Sequence, residues 1–208
     1  MPQPNFDLYL ITDRNLTQGR DLLWVLEMAL DGGVRAIQLR EKDLEGRELF
    51  KLADKISVLC RRYDAQLFIN DRIDVALAVD ASGVQLGKTS LPIESARALL
   101  GAEKLIGFSS HGVEEAIAAQ RSGANFLLFG PVFFTPSKAP FGAPQGVAAL
   151  KGLVEKVALP VYAIGGINTA SLEEAMNAGV RGVALISAII SAKNPTATAR
   201  MILAKLAR

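Results

Sequence analysis

The sequence predicts one domain, residues 1–208, folded as a compact (β/α)₈ barrel, the closed parallel architecture known as the TIM barrel. Eight short apolar runs of strand length alternate with helix-period segments along the chain. These runs are nearly continuous in apolar residues, as is typical of parallel strands that are covered by helices. No Gly-x-Gly-x-x-Gly fingerprint follows the first run, which disfavours an open doubly wound sheet. Together these three observations favour a closed barrel.

The elements follow one another in a regular order. The predicted strands are residues 8–12, 36–39, 67–70, 83–86, 105–108, 126–129, 161–164 and 183–186. Between the second and third strands, residues 48–60 carry one apolar helical stripe. Its members are Leu49, Leu52, Ala53, Ile56, Leu59 and Cys60. Later, Ser171 and Glu174 have the spacing of a capping box at the start of a helix over 171–178. Gly33, Gly123 and Gly179 each stand where a helix would end and the next strand begin.

Composition excludes several classes of function. The net charge of +2 is too small to indicate a nucleic-acid surface, so we expect no nucleic-acid partner. No apolar run reaches the length of a membrane span or of a signal-peptide core, so we expect a cytoplasmic protein without membrane contact. Cys60 is the only cysteine and lies on an apolar stripe, which indicates a core residue. The expected partner is therefore a small molecule, and homo-oligomer formation remains open.

Polar side chains follow several of the predicted strands. Gln38, Arg40 and Lys42 would share one direction in an extended chain, and Asn70 with Asp71 ends the third strand. Alone, each group could be a solvated loop or a helix cap. In a barrel, however, the carboxyl ends of all strands form the face on which active sites are built. The groups expected to meet there from later strands are Ser109, His111, Thr135, Ser137 and Lys138.

Two anion sites are expected on this face. Gly165 and Gly166 follow strand seven and Ser187 follows strand eight, where barrels of this type commonly bind a phosphate group. A second site would combine the cations Arg40, Lys42 and Lys138 with the carboxylate of Asp71. That composition suits a pyrophosphate with Mg²⁺, because the carboxylate can hold the metal while the cations neutralise phosphate oxygens. The substrates are therefore expected to be small phosphorylated molecules.

Seven segments in order resemble the thiamine-phosphate synthase family, over residues 8 to about 190. They are residues 38–42 (QLREK), 69–72 (INDR), 107–111 (GFSSH), 129–133 (FGPVF), 135–138 (TPSK), 163–167 (AIGGI) and 186–189 (ISAI). The resemblance implies a compact (β/α)₈ barrel and a transferase. It implies that hydroxymethylpyrimidine pyrophosphate is joined to a thiazole phosphate, which gives thiamine phosphate and pyrophosphate.

The resemblance also implies roles for individual residues. Binding of the pyrimidine pyrophosphate is implied for Gln38, Arg40, Lys42, Asn70, Ser109 and Lys138. Binding of the thiazole phosphate is implied for Thr135, Pro136, Ser137, Gly166, Ile186 and Ser187. Asp71 matches a magnesium ligand. The implied mechanism is dissociative: pyrophosphate leaves, a pyrimidine-methyl cation forms, and the thiazole nitrogen attacks it. Arg40, Lys42, Ser109, Lys138 and His111 are the expected catalytic groups, acting by position and charge.

The chain departs from the family after strand four. Most members read Val-His-Leu-Gly-Gln-x-Asp there, whereas residues 84–90 of this chain read VQLGKTS. Ser90 thus occupies the place of the second magnesium carboxylate, although a neutral hydroxyl is a poorer ligand for Mg²⁺. Lys88 could supply a compensating charge near the pyrophosphate, or it could be solvated.

Two other functions remain open from the sequence. Thiazole tautomerases resemble the synthases and use a histidine in the strand-five loop, where this chain carries His111. A phosphate-binding relative without catalysis is the third alternative. Because Arg40, Lys42, Asn70 and Asp71 would have no pyrophosphate to bind in a tautomerase, their presence favours the synthase.

Overall fold

A computed structural model describes residues 2–136 and 142–207, and these form a closed parallel eight-stranded barrel. Each strand pairs with the next, and the first pairs with the last through the register Leu8 to Val183. The strands are β1 (Leu8–Ile11), β2 (Ala36–Leu39), β3 (Gln66–Asn70), β4 (Gly83–Leu86), β5 (Leu105–Ser110), β6 (Phe126–Phe129), β7 (Val161–Ile164) and β8 (Gly182–Leu185). The predicted (β/α)₈ fold is confirmed.

Helices follow the strands and cover the outside of the barrel. They are α1 (Leu22–Asp31), α2 (Gly46–Arg62), α3 (Ile73–Ala78), α4 (Ile93–Leu100), α5 (Val113–Arg121), α6 (Gly146–Val154), α7 (Leu172–Met176), α8 (Ser187–Ile190) and α9 (Pro195–Leu206). A short 3₁₀ helix, Arg14–Leu16, follows β1. The apolar stripe predicted for α2 is buried apart from half-buried Leu52, and Cys60 lies in the core as expected.

The interior of the barrel is filled by aromatic side chains at its amino-terminal end. Phe6 enters the barrel before β1 and stacks on Tyr162, with 4.9 Å between the ring centroids. The rings of Tyr9, Phe68 and Phe126 surround it, mostly edge to face. Such contacts suit the charge distribution of aromatic rings, and they close this end of the barrel. The opposite end, where the strands finish, is left for polar groups.

Three local expectations differ from the structure. Strand β5 continues to Ser110, so that Ser109 lies within a strand and not in the loop after it. Strand β8 ends at Leu185, so that Ile186 lies outside the strand, directly before the first residue of α8, Ser187. The capping box at Ser171 is absent, because the Ser171 side chain turns back to the preceding loop. Its Oγ accepts a hydrogen bond from the backbone N–H of Asn168 (3.0 Å) and donates to the carbonyl of Gly166 (3.3 Å).

Candidate active site

The carboxyl ends of the strands bring most of the predicted site residues to one face. From β2 to β8 they are Gln38, Arg40, Lys42, Asn70, Asp71, Ser90, Ser109, His111, Thr135, Pro136, Gly166, Ile186 and Ser187. The predicted residues Ser137 and Lys138 lie outside the described part of the chain. A cleft of about 260 Å³ opens beside the ends of β2 and β3, and Lys42, Asn70 and Asp71 contribute to its lining. The convergence expected from the fold is therefore present for the described residues.

The segment after β2 is held by Glu41, which the sequence analysis did not single out. The Glu41 side chain is only 2% exposed and accepts hydrogen bonds from the backbone N–H (3.1 Å) and the guanidinium (3.1 Å) of Arg14. The two terminal nitrogens of the same guanidinium donate to the two carboxylate oxygens of Asp43, at 2.6 and 2.7 Å. This contact lowers the pKa of the Asp43 carboxyl below its ordinary value. Arg14 thus fixes the segment that carries Arg40 and Lys42.

The expected alternation of side chains ends with the strand. Gln38 is buried inside the barrel, whereas Arg40 lies beyond the last strand residue and its backbone N–H donates to Thr12 Oγ1 (2.9 Å). Lys42 is exposed and belongs to a turn closed by the hydrogen bond from Leu44 N to Glu41 O (3.2 Å). An extended strand would point the side chains of Gln38, Arg40 and Lys42 in the same direction. This expectation is wrong for Lys42, because Lys42 lies in a turn and not in a strand.

Asp71 occupies an unusual backbone conformation directly after β3. Its φ is +60°, in the left-handed region that residues with a side chain rarely adopt. Both carboxylate oxygens accept hydrogen bonds, Oδ1 from the Ser90 hydroxyl and Oδ2 from Asn70 Nδ2 (2.8 Å). Ser90 Oγ in turn accepts from the backbone N–H of Gly87 (2.7 Å). Backbone strain of this kind clusters at functional sites, and here it aims a carboxylate into a set of oxygen and nitrogen groups.

Gln85 is a site residue that sequence reasoning missed. It lies on β4 with 2% of its surface exposed, and its Nε2 donates to Ser109 Oγ at 3.0 Å. Its Oε1 is buried and has no hydrogen-bond partner within the described chain. Burial raises the pKa of the nearby Tyr9 hydroxyl, and a side-chain hydrogen bond with Gln38 partly offsets that rise. A buried polar group without a partner is costly, so the unpaired Oε1 of Gln85 is a feature of this site that apolar packing does not explain. A glutamine within an otherwise apolar strand was the available sequence signal.

His111 is oriented by a backbone carbonyl. Its Nδ1 lies 2.6 Å from the carbonyl oxygen of Gly130, and because a carbonyl can only accept, Nδ1 carries the proton and donates. Its backbone N–H donates to Glu115 (2.9 Å), which also pairs with the ammonium of Lys88 at 3.6 Å. Lys88 is 80% exposed, so it belongs to the solvated surface at the edge of the site. The loops after β4 and β5 are thereby linked.

The predicted phosphate side is built by close packing of two loops. Gly165 and Gly166 have φ values of +94° and +68°, and a Cβ on Gly166 would lie 2.5 Å from the carbonyl oxygen of Phe134. The backbone N–H of Phe133 donates to Gly165 O at 3.0 Å. The diglycine therefore allows the loop that leads to Thr135 to lie directly against the end of β7. Ile186 and Ser187 follow at the start of α8.

This geometry defines a class: a parallel barrel whose mouth joins cations, one strained carboxylate and a glycine-lined loop, as enzymes acting on phosphorylated small molecules have. The family model described as thiamine monophosphate synthase matches residues 8–189. The chain belongs to this family, and it is a transferase.

Individual relatives agree with the family. A protein of Geobacter sulfurreducens, whose description names thiamine-phosphate synthase, is 52% identical over 206 residues, covering 99% of this chain and 97% of that protein. The thiamine-phosphate synthase of Clostridium novyi is 44% identical over 186 residues, covering 89% and 91%. The solved structure of thiamine phosphate pyrophosphorylase from Pyrococcus furiosus superposes with a TM-score of 0.88 at 39% identity, over 97% of this chain and 95% of that one. These matches favour the synthase over the tautomerase alternative.

In the described residues, no helix is both long and apolar enough to cross a membrane.

Proposed function

We propose that the mouth of the barrel joins hydroxymethylpyrimidine pyrophosphate to a thiazole phosphate and releases thiamine phosphate and pyrophosphate. The observation that carries this assignment is that Lys42 and Asp71 line one cleft at the neighbouring ends of β2 and β3, with Arg40 directly after β2. That arrangement suits a pyrophosphate leaving group, whose oxygens accept hydrogen bonds and carry negative charge. The glycine-lined loop at Gly166 lies after β7, where a monophosphate would bind. We further propose a cytoplasmic enzyme that has no nucleic-acid partner.

The two substrates would occupy different sectors of the mouth. The ends of β2 to β5 would hold the pyrimidine pyrophosphate through Gln38, Arg40, Lys42, Asn70 and Ser109, with Lys138 from the loop after β6. The ends of β6 to β8 would hold the thiazole phosphate through Thr135, Pro136, Ser137, Gly166, Ile186 and Ser187. Binding both substrates side by side brings the thiazole nitrogen to the pyrimidine methylene carbon, which removes most of the entropic cost of their encounter.

Residues of the chain would act mainly through charge. Arg40 and Lys42 donate to the pyrophosphate oxygens, and these contacts strengthen as the bond to the methylene carbon breaks and negative charge develops on the leaving group. The resulting pyrimidine-methyl cation is then attacked by the thiazole nitrogen. Exclusion of water between the two ligands would protect the cation. No nucleophile or strong base from the protein is needed for these steps.

Magnesium is part of this proposal, and the residues present fit it. Asp71 and Ser90 offer a carboxylate and a hydroxyl oxygen in mutual contact, and Mg²⁺ commonly takes one or two carboxylates while phosphates and water complete its shell. Within the described chain no cluster of three or more His, Cys, Asp or Glu side chains could hold a metal. The chemistry supplied by bound Mg²⁺ would be neutralisation of the pyrophosphate oxygens.

A turnover assay tests the proposal. Thiamine phosphate should form only when both substrates and Mg²⁺ are present, and Arg40→Ala should cost about 2 kcal/mol or more in catalytic efficiency through lost contacts to the leaving group. The matched control is Arg62→Ala. Arg62 is the last residue of α2, and its exposed guanidinium pairs with Glu27 on α1. Wild-type efficiency in Arg40→Ala would show that the segment is only a surface loop. Proton exchange on the thiazole alone, without product, would indicate a tautomerase, and ligand binding with neither reaction would indicate a non-catalytic relative.

A further inference from the structure

Gln85 joins two parts of the candidate site through different atoms. Its backbone oxygen accepts a hydrogen bond from the backbone N–H of Asp71 at 3.0 Å, and its side-chain Nε2 donates to Ser109 Oγ at 3.0 Å. The side chain is confined, because it lies between β3 and β5 in the sheet and only 2% of the residue is exposed. The amide therefore cannot exchange its hydrogen bond with Ser109 for one with solvent.

The space for this amide is made by Gly107, the residue that pairs with Gln85 in the register of β4 and β5. A Cβ on Gly107 would lie 2.3 Å from Gln85 Oε1 and 2.4 Å from Phe126 Cζ. The lack of a side chain at Gly107 thus leaves room for both the Gln85 amide and the Phe126 ring. The space beside Gly107 therefore accommodates the side-chain amide of Gln85, whose Nε2 is directed at Ser109.

The direction of the hydrogen bond fixes the Ser109 hydroxyl. A hydroxyl has one proton and accepts at its lone pairs, so an oxygen that accepts from Gln85 must turn its own proton elsewhere. Ser109 is half-buried at the mouth, where a ligand can receive that proton. A pyrophosphate group offers only acceptor oxygens near neutral pH. A hydroxyl already turned to donate would bind it without first breaking another contact.

We propose that Gln85 is a positioning residue, which holds the Ser109 hydroxyl as a hydrogen-bond donor towards the pyrimidine pyrophosphate. This inference rests on the proposed function of Ser109 in binding that substrate. Gln85 acts through Ser109 and does not touch the reacting atoms. Its effect should therefore fall on the KM for pyrimidine pyrophosphate, leave the KM for thiazole phosphate unchanged, and vanish when Ser109 has no hydroxyl.

A double-mutant cycle tests this dependence. Gln85→Met keeps the length of the side chain and removes the donor, while Gln85→Asn keeps an amide but is too short to reach Ser109. Each should raise the KM for pyrimidine pyrophosphate several-fold, and Ser109→Ala should raise it about tenfold. Adding either Gln85 change to Ser109→Ala should then produce no further rise. Two variants are used because one of them can fail to fold, which thermal melting will reveal.

Gln66→Met is the matched control. Gln66 begins β3 at the opposite end of the barrel, and its Oε1 is also buried without a described partner, so the same substitution there should leave both KM values unchanged. If the effects of Gln85 and Ser109 multiply instead of overlapping, Gln85 acts independently and the inference is overturned. If Ser109→Ala binds pyrimidine pyrophosphate like the wild type, the proposed role of Ser109 fails instead, and the positioning role of Gln85 fails with it.

Discussion

Ser90 donates a hydrogen bond to Asp71 across the loops that follow β4 and β3. The Ser90 hydroxyl also accepts from Gly87 N at 2.7 Å, so its single proton is directed at the Asp71 carboxylate. Lys88 does not intervene, because its ammonium pairs with Glu115 at 3.6 Å. Ser90, which the resemblance to the family places at the position of a magnesium carboxylate, therefore contacts the carboxylate with which it would share the proposed metal.

Replacing Ser90 by Asp should make the site depend more strongly on Mg²⁺. Two carboxylates in contact repel each other without a metal, so we expect a lower melting temperature for Ser90→Asp in EDTA. Added Mg²⁺ should restore the melting temperature, because the metal binds the folded state and relieves the repulsion. The Mg²⁺ concentration for half-maximal synthase activity should fall below that of the wild type.

Two variants control this experiment. Ser90→Asn introduces a side chain with the shape of aspartate but without its charge. This variant should show neither the destabilisation in EDTA nor the stronger response to Mg²⁺. The double change of Lys88→Gln with Ser90→Asp removes an ammonium that could pair with the new carboxylate. An unchanged Mg²⁺ dependence in this double variant would contradict the idea that the loop is a weakened metal site.

Arg14 should support both the stability of the protein and the binding of pyrophosphate. Arg14→Ala removes the guanidinium from Glu41, whose side chain is 2% exposed. Losing a hydrogen bond to a buried charged group should lower the free energy of unfolding by about 1.5–3 kcal/mol, measurable by urea denaturation. Because Glu41 stands between Arg40 and Lys42, inorganic pyrophosphate should also become a weaker product inhibitor.

The control for Arg14 is an exposed ion pair. Arg62→Ala breaks a pair with Glu27 in which the arginine side chain is 62% exposed, and such pairs contribute only about 0–1 kcal/mol. If Arg14→Ala is destabilised but pyrophosphate still inhibits it fully, the hydrogen bonds of Arg14 with Glu41 and Asp43 support stability and not pyrophosphate binding.

Cys60 should be chemically inert in the folded protein. Burial raises the pKa of its thiol to about 12, above the ordinary value of 9.0. The folded state therefore holds this proton over a pH range in which the unfolded chain releases it, so stability declines as pH rises through that range. At pH 10 the loss from this residue should be about 1 kcal/mol. Comparing wild type and Cys60→Ala by urea denaturation at pH 8 and pH 10 measures it. Rapid thiol labelling of the native protein at pH 8 would contradict the burial.

Local sequence was sufficient for the strands and for the groups that directly follow them. Arg40 and Asp71 could be placed at the mouth of the barrel because each follows an apolar run, and the fold brings the ends of such runs to one face. The fine placement of Lys42 could not be predicted, since a turn stabilised by Glu41 replaces the strand alternation. The contact between Arg14 and Glu41 joins residues 27 positions apart, and nothing in either segment specifies the other.

Competition between neighbouring polar groups explains the other differences. Ser171 has the spacing of a capping residue, but the Asn168 side chain accepts from the backbone N–H of Ala170 at 2.8 Å and shapes the loop before the helix. The bond between Gln85 and Ser109 spans 24 residues and depends on the register of two strands. Register and such side-chain competition are decided by the assembled barrel.

Gly166 should be required for binding of the thiazole phosphate. Its φ is +68°, and an added Cβ would lie 2.5 Å from Phe134 O and 2.8 Å from the carbonyl carbon of Phe133. Because those contacts are backbone atoms, Gly166→Val should displace the loop that leads to Thr135. We expect the KM for thiazole phosphate to rise at least about tenfold, whereas the affinity for the pyrimidine substrate should change little. Steady-state kinetics with each substrate varied in turn measures both effects.

Gly19 provides the matched control for this prediction. It has a similar φ of +77°, but apart from Gly19 itself and its two chain neighbours no heavy atom of the described chain lies within 4 Å of the position that its Cβ would take. Alanine at Gly166 adds only the Cβ that makes these close contacts. Comparing Gly166→Ala with Gly19→Ala therefore separates the backbone cost of a side chain at positive φ, about 1 kcal/mol, from the effect of moving the neighbouring loop. Gly19→Ala should lose stability only, with both KM values at wild-type level. Equal losses for the two substrates in Gly166→Ala, accompanied by a lower melting temperature, would indicate a distorted barrel instead of a local phosphate site.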